Sequence, residues 1–578
     1  MIRREFFVRA LSVAAASLFG RHALAQESAH GMHDMSGMSG MQGMPDMSGM
    51  SGMANSGASH ASAPGGAALA PPDALPSGAP LAALRTLVNE SLEPGLFRAT
   101  LVAQPVQHRL MPGHPTTFWL YGQAGGQLDS AALQGQVVGP LIDVREGDTV
   151  EIRFVNRLPQ PSTIHWHGLP VPPDQDGNPF DPVAPGASRV YRFTLPPGSA
   201  GTYWYHPHPH MMSAEQVFRG LAGPIVVRAA VDPLDGWPER HLFFSDLKLA
   251  SDGTIAPNDM MDWMNGREGQ FVLVNGASRP LIAMATDERW RVWNACNARY
   301  LRLSLGGGRT FVQVGTDGGL LQQPRDGLTE LLLAPGERAE LIVQVSGGAQ
   351  AAAQSSQPAL SDQSIQPARS TQPPQSTRVV LSAEVYDRRK MAMSHGSLPP
   401  DPAHPLADVQ FEPNIPDTSN PARAIPATLR EIRPLGTPVA QKSVVFSERM
   451  DMAAMHGSGM SRNGMPAGMA FMVNGMSFDP QRVTLTSRRG EVERWSIENR
   501  TDMDHPFHLH GTQFQVLERE QGGAVTPEPY LAWRDTVNVQ PGETVRIATV
   551  QQQTGDRMFH CHILEHEDLG MMGTLRVV

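Results

Sequence analysis

Apolar and polar residues alternate along short segments of the chain, and one pair of segments recurs three times. The first segment of each pair is a strand-like run that ends in asparagine, at residues 149–156, 289–294 and 492–499. The second starts with Pro-Gly and continues as an alternating run, at residues 185–194, 335–343 and 541–549. Alternation with a period of two predicts β-strands that bury one face. The repeat therefore predicts three related β domains.

Helical periodicity is scarce, whereas 56 glycines and 50 prolines separate the short apolar runs. This punctuation favours an all-β fold, and the repeat spacing is compatible with Greek-key β-sandwiches of about 150 residues each. We expect a first domain at residues 95–230, a second at 235–390 with a low-complexity insert at 347–378, and a third at 425–578. Residues 391–424 are expected to be a linker.

The N-terminus has the pattern of a removable export signal. Residues 1–25 contain a basic start with Arg3 and Arg4, a short apolar stretch, and the small-residue site Ala23-Leu24-Ala25. The apolar stretch is too short to span a bilayer, and the arginine pair resembles a twin-arginine signal. We therefore expect a periplasmic protein without a membrane span.

Residues 26–94 are predicted to be a disordered tail and linker, because Gly, Ser, Ala, Pro, Met and His offer little for a core. Methionines recur there at every third residue from Met32 to Met53. Thioether sulfur selects Cu(I) over harder ions, so the tail is either a copper-gathering segment or a flexible spacer. A second Met-rich segment, residues 450–476, is either a Cu(I) relay or a loose hydrophobic loop.

The C-terminal stretch carries the most specific chemistry. On a strand, His560 and His562 project to one face and Cys561 to the other, so the tripeptide can serve two metal centres back to back. Cys561, His566 and Met571 are the soft donors that suit an electron-transferring blue copper. The two flanking histidines then belong to a second centre behind it.

His-x-His pairs elsewhere in the chain indicate what that second centre is. Random placement of 21 histidines in 578 residues would give about 0.8 such pairs. The chain contains several more, at residues 165–167, 206–208, 208–210, 508–510 and 560–562. Chance is therefore a poor explanation, and the histidines are expected to bind metal.

These motifs, in this order, resemble the four copper signatures of the multicopper oxidases, the group that includes laccases, ascorbate oxidase and bacterial cuprous oxidases. The matching stretches are His-Trp-His-Gly from His165, Tyr-His-Pro-His from Tyr205, His-Pro-Phe-His-Leu-His-Gly from His505, and His-Cys-His-x3-His-x4-Met from His560. The resemblance extends from about residue 95 to the C-terminus. It implies three cupredoxin-like domains and four copper ions, and the Met-rich segments resemble those of the periplasmic cuprous oxidases.

The resemblance also implies a role for each ligand. Those of the blue (type 1) copper would be His505, Cys561, His566 and Met571. Those of the type 2 copper would be His165 and His508. Those of the type 3 pair would be His167, His206 and His562 on one ion, and His208, His510 and His560 on the other.

Reduction of dioxygen to water consumes protons, so carboxyl groups are needed near the copper cluster. Asp176 and Glu567 match acidic positions of the cuprous oxidases with that role. From the residues alone, Asp176 could instead belong to an Asp-Gly turn, and Glu567 could be an exposed acid.

Substrate Cu(I) has its own candidate residues. Asp502, Met503 and Asp504 immediately precede His505, and a methionine with acids beside a blue-copper ligand resembles the Cu(I) docking site of the cuprous oxidases. Three methionines of the second Met-rich segment are further candidates: Met450, Met452 and Met455. A solvated loop is the alternative for the stretch before His505.

Composition narrows the choice of partners. A net charge of −10 without basic clusters argues against nucleic acid or an anionic membrane surface. With Cys561 assigned to copper, Cys296 has no partner and is expected to be a buried free thiol on a strand. We expect a monomer whose reactants are dioxygen and Cu(I), phenols, or both.

Three other functions are weighed against a cuprous oxidase. A copper-storing resistance protein would need the methionines but not eight clustered histidines. A copper nitrite reductase would lack the full set of His-x-His pairs. A laccase would share the ligands and differ in substrate access, so phenol oxidation stays an alternative activity.

Overall fold

The computed structural model describes residues 68–124, 136–346, 376–393, 396–412, 423–451 and 465–578. These residues belong to one unit that extends from Ser62 to Val578. The export signal, the Met-rich tail, most of the insert 347–378, and the candidates Met452 and Met455 lie outside them. The described part of the chain forms six β-sheets, and none of its helices is long and apolar enough to cross a membrane.

The first domain consists of two four-stranded sheets. The strands of one sheet are, in spatial order, His114–Gln123, Leu96–Met111, Thr149–Asn156 and Ser188–Thr194. Those of the other are Ile142–Arg145, Gly223–Arg228, Gly201–His206 and His165–His167. The apolar faces of both sheets pack in one core that contains Trp166 and Tyr205.

The middle domain pairs a seven-stranded sheet with a five-stranded one. The larger sheet contains Ala277–Ser278, Phe271–Val274, Glu239–Leu247, Glu288–Asn294, Arg338–Val343, Phe311–Thr316 and Gly319–Leu328. The smaller contains Leu281–Met284, His404–Phe411, Thr377–Glu384, Leu301–Leu305 and Glu330–Leu333.

The third domain pairs a six-stranded sheet with a five-stranded one. The larger sheet contains Met469–Val473, Ala440–Met450, Val492–Asn499, Glu543–Val550, Phe514–Gln521 and Ala524–Pro527. The smaller contains Leu485–Ser487, Met572–Val577, Gly555–Cys561, His505–Leu509 and Thr536–Val539. Short helices lie at Pro173–Gln175 (3-10), Ser213–Phe218, Met260–Asn265 and Leu564–Asp568. The predicted all-β fold of three cupredoxin-like sandwiches is confirmed.

The three repeated asparagines perform the same task in each domain. The Asn499 amide donates to the carbonyl oxygens of Met503 and Val539, and its own carbonyl oxygen accepts from the Thr501 amide. The Asn499 backbone oxygen also accepts from Gly542 of the Pro-Gly turn. Asn156 and Asn294 make the equivalent bonds in their domains. The repeat in the sequence is thus a clamp between a strand end and a Pro-Gly turn.

Two predicted boundaries are wrong. Residues 68–94, expected to belong to a disordered tail, pack on the folded unit: Leu75 and Leu87 are buried, and Leu69 bridges to Ala250. Residues 404–411, expected to be linker, form a strand between Leu281–Met284 and Thr377–Glu384. In both segments, apolar residues scattered among prolines pack against distant parts of the fold. The local composition gives no indication of that packing.

Cys296 is buried and free, and it lies two residues after the strand Glu288–Asn294 rather than on a strand. Its backbone amide donates to the Asn294 side chain, so the thiol belongs to the loop that the repeated asparagine holds. Burial raises the pKa of the Cys296 thiol, which keeps it protonated and unreactive.

Candidate metal centres

Four short segments, on strands or directly beyond strand ends, bring eight histidines to the interface of the first and third domains. In the first domain, His165 pairs with His206 across adjacent antiparallel strands. In the third, His508 pairs with His560 in the same way. All eight imidazoles are completely buried: His165, His167, His206, His208, His508, His510, His560 and His562.

The nitrogen atoms of these rings gather in small groups. Within each group the ligand atoms lie within 4.8 Å of one another: His165, His508 and His510; His167, His206 and His562; His208, His510 and His560. The closest Nε2–Nε2 distances are 3.4 Å for His165–His508, 3.2 Å for His208–His560 and 3.0 Å for His510–His560. Each of the three groups contains histidines of both domains, and His510 belongs to two groups.

Oxygen atoms around the cluster fix which nitrogen of each ring carries hydrogen. The Nδ1 atoms of His206, His508 and His560 lie 2.8–2.9 Å from backbone carbonyl oxygens. A carbonyl oxygen can only accept, so Nδ1 donates and the Nε2 lone pair faces the centre of the cluster. A partner of this kind orients a metal-binding imidazole.

Several of the nitrogens in the cluster have no hydrogen-bond partner. Nε2 of His167, His206 and His562 is buried without a hydrogen bond. Burial lowers the pKa of His560 to about 3 and that of His562 well below its ordinary value, so both rings are neutral near pH 7. Buried lone pairs that face one another are unfavourable in a hydrogen-bonded core, and they fit metal ions.

Two carboxyl groups touch the outer side of this cluster. Asp176 Oδ1 and Oδ2 each lie 3.1 Å from an Nδ1 atom, one of His165 and the other of His510. Glu567 lies 3.5 Å from His208 Nε2 and 3.3 Å from His560 Nδ1. Both carboxyl groups are buried, and burial raises their pKa. Asp176 does close a turn before Gly177, and Glu567 is not an exposed acid.

A separate centre lies on the other face of the tripeptide that ends the strand Gly555–Cys561. His505 Nδ1 is 3.3 Å from Cys561 Sγ and 3.3 Å from His566 Nδ1. Met571 is completely buried, and its backbone bonds to both Cys561 and His566. Burial lowers the pKa of His505 to about 3 and raises that of the Cys561 thiol.

The surrounding residues hold these side chains in place. His566 stacks on Phe471 at 3.9 Å, and its Nε2 contacts the Met264 carbonyl oxygen at 3.2 Å. His505 Nε2 lies 2.8 Å from the Thr501 hydroxyl oxygen. The Nδ1 atoms of both rings therefore point to the sulfur, which makes a trigonal set of two nitrogens and a thiol. Such a set with a weak axial methionine fits copper.

The Cu(I) candidates occupy different environments. Asp502 is exposed, whereas the Met503 side chain, two residues before His505, is completely buried. Met450 ends the strand Ala440–Met450 and packs, half-buried, on the core cluster that contains Cys561 and Met571. The structure also describes part of the segment 450–476 beyond Met450. There, Met465 and Met469 are buried in the core cluster that contains Cys561 and Met571.

Sequence reasoning missed two charged residues beside the histidine cluster. Arg338 of the middle domain lies 3.2 Å from His167 Nδ1, and Asp535 accepts from Arg338 and lies next to His508. Arg338 follows the Pro-Gly of the middle repeat and Asp535 follows Trp533-Arg534. Neither has a His or Cys neighbour at metal-ligand spacing, so no local pattern marked them.

Comparisons with known proteins agree with this geometry. Two family models described as multicopper oxidase match residues 121–232 and 449–578. The solved structure of a multicopper oxidase from Campylobacter jejuni, described as a metallo-oxidase, is 40% identical with a TM-score of 0.76, covering 89% of this chain and 98% of that one. The chain therefore belongs to the multicopper oxidase family, and copper is its cofactor.

Curated relatives point to the same class. The multicopper oxidase mco of Staphylococcus haemolyticus is 29% identical over 77% of this chain and 83% of its own length. The laccase of Bacillus subtilis is 27% identical over 84% of this chain and 94% of its own length. The protein is thus an oxidoreductase of the multicopper oxidase and laccase type.

Proposed function

We propose that this protein is an exported cuprous oxidase, which removes one electron from each of four Cu(I) ions and reduces dioxygen to water. The tripeptide from His560 to His562 carries the proposal. Its thiol lies against His505 and His566, and its two imidazoles belong to the histidine cluster. One peptide segment therefore joins an electron-accepting centre to a centre that can hold several metal ions.

Four copper ions are assigned to the two centres. When bound, they supply one-electron transfer at the blue centre and the reduction of dioxygen at the cluster. The blue copper takes His505, Cys561, His566 and Met571. The type 2 copper takes His165 and His508. The type 3 pair takes His167, His206 and His562 on one ion, and His208, His510 and His560 on the other. The close grouping of the type 3 nitrogens supports this division.

The chain contributes rigidity, exclusion of water and proton positions. The side chains assigned to copper are buried, and the His-x-His pairs lie at or next to strand ends held by backbone bonds, so they need little rearrangement. Asp176 accepts hydrogen bonds from Nδ1 of His165 and His510, and thereby orients one ring from each domain. Asp176 and Glu567 are the carboxyl groups proposed to pass protons to the cluster, because both touch it from the outside.

Substrate Cu(I) is proposed to reach the blue centre along methionines. Met450 packs on the core that contains Cys561, and Met452 and Met455 follow it in sequence. Met503 is buried two residues before His505, and its sequence neighbour Asp502 is exposed. The likeness to a Campylobacter jejuni metallo-oxidase supports a metal ion as substrate. The likeness to the Bacillus subtilis laccase supports phenol oxidation as the second candidate activity. Copper storage alone would not require the histidine cluster.

Oxygen uptake by the copper-loaded protein separates the two candidates. Chelated Cu(I) is offered as the only reductant, and then a substituted phenol, each with and without added Cu(II). A triple variant, Met450→Leu, Met452→Leu and Met455→Leu, is compared with the natural chain, because leucine preserves bulk without the sulfur.

A cuprous oxidase should turn over Cu(I) quickly, and the triple variant should lower kcat/KM for Cu(I) while phenol turnover stays the same. Fast phenol oxidation without added copper, beside slow Cu(I) turnover, would instead identify a laccase. A location in the periplasm, inferred from residues 1–25, is tested by fractionating cells that produce the full chain.

A further inference from the structure

The middle domain, which supplies none of the proposed copper ligands, reaches the histidine cluster through Arg338. This arginine starts the strand Arg338–Val343, and its side chain is completely buried. Its Nη1 atom lies 3.2 Å from Nδ1 of His167. A buried arginine needs partners for its charge and for its five N–H groups.

All five N–H groups of Arg338 have an oxygen acceptor. Nε donates to the Thr202 carbonyl oxygen at 2.9 Å. Nη1 donates to Asp535 Oδ1 at 2.7 Å and to the Gly336 carbonyl oxygen at 3.0 Å. Nη2 donates to Asp535 Oδ2 at 2.6 Å and to the Asp317 carbonyl oxygen at 3.1 Å. The guanidinium is therefore held in one orientation by groups from all three domains, and it forms two parallel hydrogen bonds with the Asp535 carboxylate.

Asp535 transmits this orientation to two histidines. Its backbone carbonyl oxygen accepts from His508 Nδ1 at 2.8 Å. Its carboxylate oxygen Oδ1 lies 3.5 Å from His167 Nδ1 and 3.6 Å from His508 Nδ1. The rings of His167 and His508 are themselves stacked at 3.8 Å, one from the first domain and one from the third. A change at Asp535 thus moves both rings.

The backbone at Gly168 packs tightly against the Arg338–Asp535 pair. A Cβ atom at Gly168, the residue after His167, would lie 2.0 Å from Asp535 Oδ2 and 2.7 Å from Arg338 Nη2. Gly168 also has a φ of +84°, which favours glycine. The turn after His167 is therefore built around the Arg338–Asp535 pair.

We propose that Arg338 is a positioning residue for the copper cluster, acting through Asp535 on His508, which is assigned to the type 2 copper, and on the neighbouring His167, which is assigned to a type 3 ion. The inference rests on the proposed function, because it presumes copper at the histidine cluster. It gives the middle domain a role at the copper cluster: this domain sets the geometry of a site whose proposed ligands all come from the other two.

A simpler view is that Arg338–Asp535 is only a buried ion pair between domains. Arg291 provides the matched control for that view. It is an equally buried arginine of the same domain, and it donates to Thr202 Oγ1 at 2.9 Å and to Glu340 Oε1 at 2.7 Å rather than lying against a histidine of the cluster. Glu340 belongs to the middle domain, and the bond to Thr202 crosses to the first domain. If a buried arginine that bonds across a domain boundary is all that matters, both arginines should behave alike.

The test compares Arg338→Lys, Asp535→Asn and Arg291→Lys with the natural protein. Lysine keeps the charge but cannot make the two parallel bonds, and asparagine keeps the size of Asp535 but not its charge. Copper-free proteins are titrated with copper against a competing chelator, and the type 2 copper signal is followed by electron paramagnetic resonance. The blue absorption reports the Cys561 centre independently.

Arg338→Lys and Asp535→Asn are expected to weaken type 2 copper binding by about 10–100-fold, the usual effect of removing a partner behind a metal ligand. The hyperfine pattern of the remaining type 2 signal should change in these two variants, while their blue absorption stays normal. Arg291→Lys should match the natural protein in copper affinity and in both signals. If Arg338→Lys does not fold, the same readings on Asp535→Asn decide the matter.

An unchanged type 2 signal and affinity in a folded Arg338→Lys or Asp535→Asn would overturn the proposal. Equal losses in Arg291→Lys would overturn it too, because the effect would then be general to buried arginines at a domain boundary. If the natural protein itself shows no type 2 signal, the proposed function fails, and this outcome is separate from the other two.

Discussion

Replacing Gly336 with alanine tests how closely the middle domain approaches the histidine cluster. Gly336 closes the middle Pro-Gly turn with a φ of +86°. A Cβ atom there would lie 3.0 Å from Cγ and Cδ2 of His562 and 3.2 Å from Nε2 of His167. Non-bonded carbon atoms prefer about 3.5–4.0 Å. One of the two rings must therefore move by about 0.5 Å, which is the tolerance of a well-built metal site.

Two unfavourable terms add at this position. Alanine in a left-handed backbone conformation costs about 1–2 kcal/mol. Overpacking a filled core costs about 1–3 kcal/mol more. Gly336→Ala should therefore destabilise the copper-free protein by about 2–5 kcal/mol. It should also reduce the copper content, because His562 and His167 are both assigned to one type 3 ion.

The repeat supplies matched controls in the same chain. Gly186 and Gly542 occupy the equivalent turns with φ values of +79° and +71°, and no atom lies within 4 Å of a Cβ at either position. Gly186→Ala and Gly542→Ala should show the backbone term alone. The assay compares the urea unfolding midpoints of the copper-free proteins and the copper bound per chain after loading. Equal losses of stability and full copper content in all three variants would refute the reasoning.

Three further predictions concern the clamp, pH and copper. Asn499→Ala removes the hydrogen bonds to the carbonyl oxygens of Met503 and Val539, so it should destabilise the protein by about 1–3 kcal/mol and weaken the blue absorption. Asn156→Ala should destabilise the protein similarly and leave the absorption intact. Blue absorption unaffected by Asn499→Ala would contradict the role of the clamp. Burial and the Arg299 charge lower the pKa of His404 to about 4, so the folded protein resists protonation that the unfolded chain accepts near pH 6.5. The free energy of unfolding should therefore fall by up to about 3 kcal/mol from pH 6.5 to pH 4, and urea titrations of His404→Gln should show a flatter pH dependence. Removing copper with a chelator should lower the thermal midpoint, since about 2.7 kcal/mol of stabilisation disappears for each ion present at 100 times its Kd.

Local pattern was sufficient for the architecture of the domains. Alternation indicated strands, and the recurring asparagine and Pro-Gly indicated three copies of one unit, because each asparagine makes the same bonds within its own domain. The family was also readable from the sequence, since His-x-His pairs and the His560–Cys561–His562 tripeptide are contiguous motifs. Opposite faces of a strand follow from bonding geometry alone.

The tertiary structure decided everything that depends on long-range approach. Strand His404–Phe411 pairs with residues more than a hundred positions away, and its composition resembles a linker. Arg338 and Asp535 are 197 residues apart, and nothing near either one indicates that they meet beside His167 and His508. Sequence periodicity reports how one segment divides its faces between core and solvent. It carries no information about which distant charge completes a buried site, because that partner is chosen by the packing of whole domains.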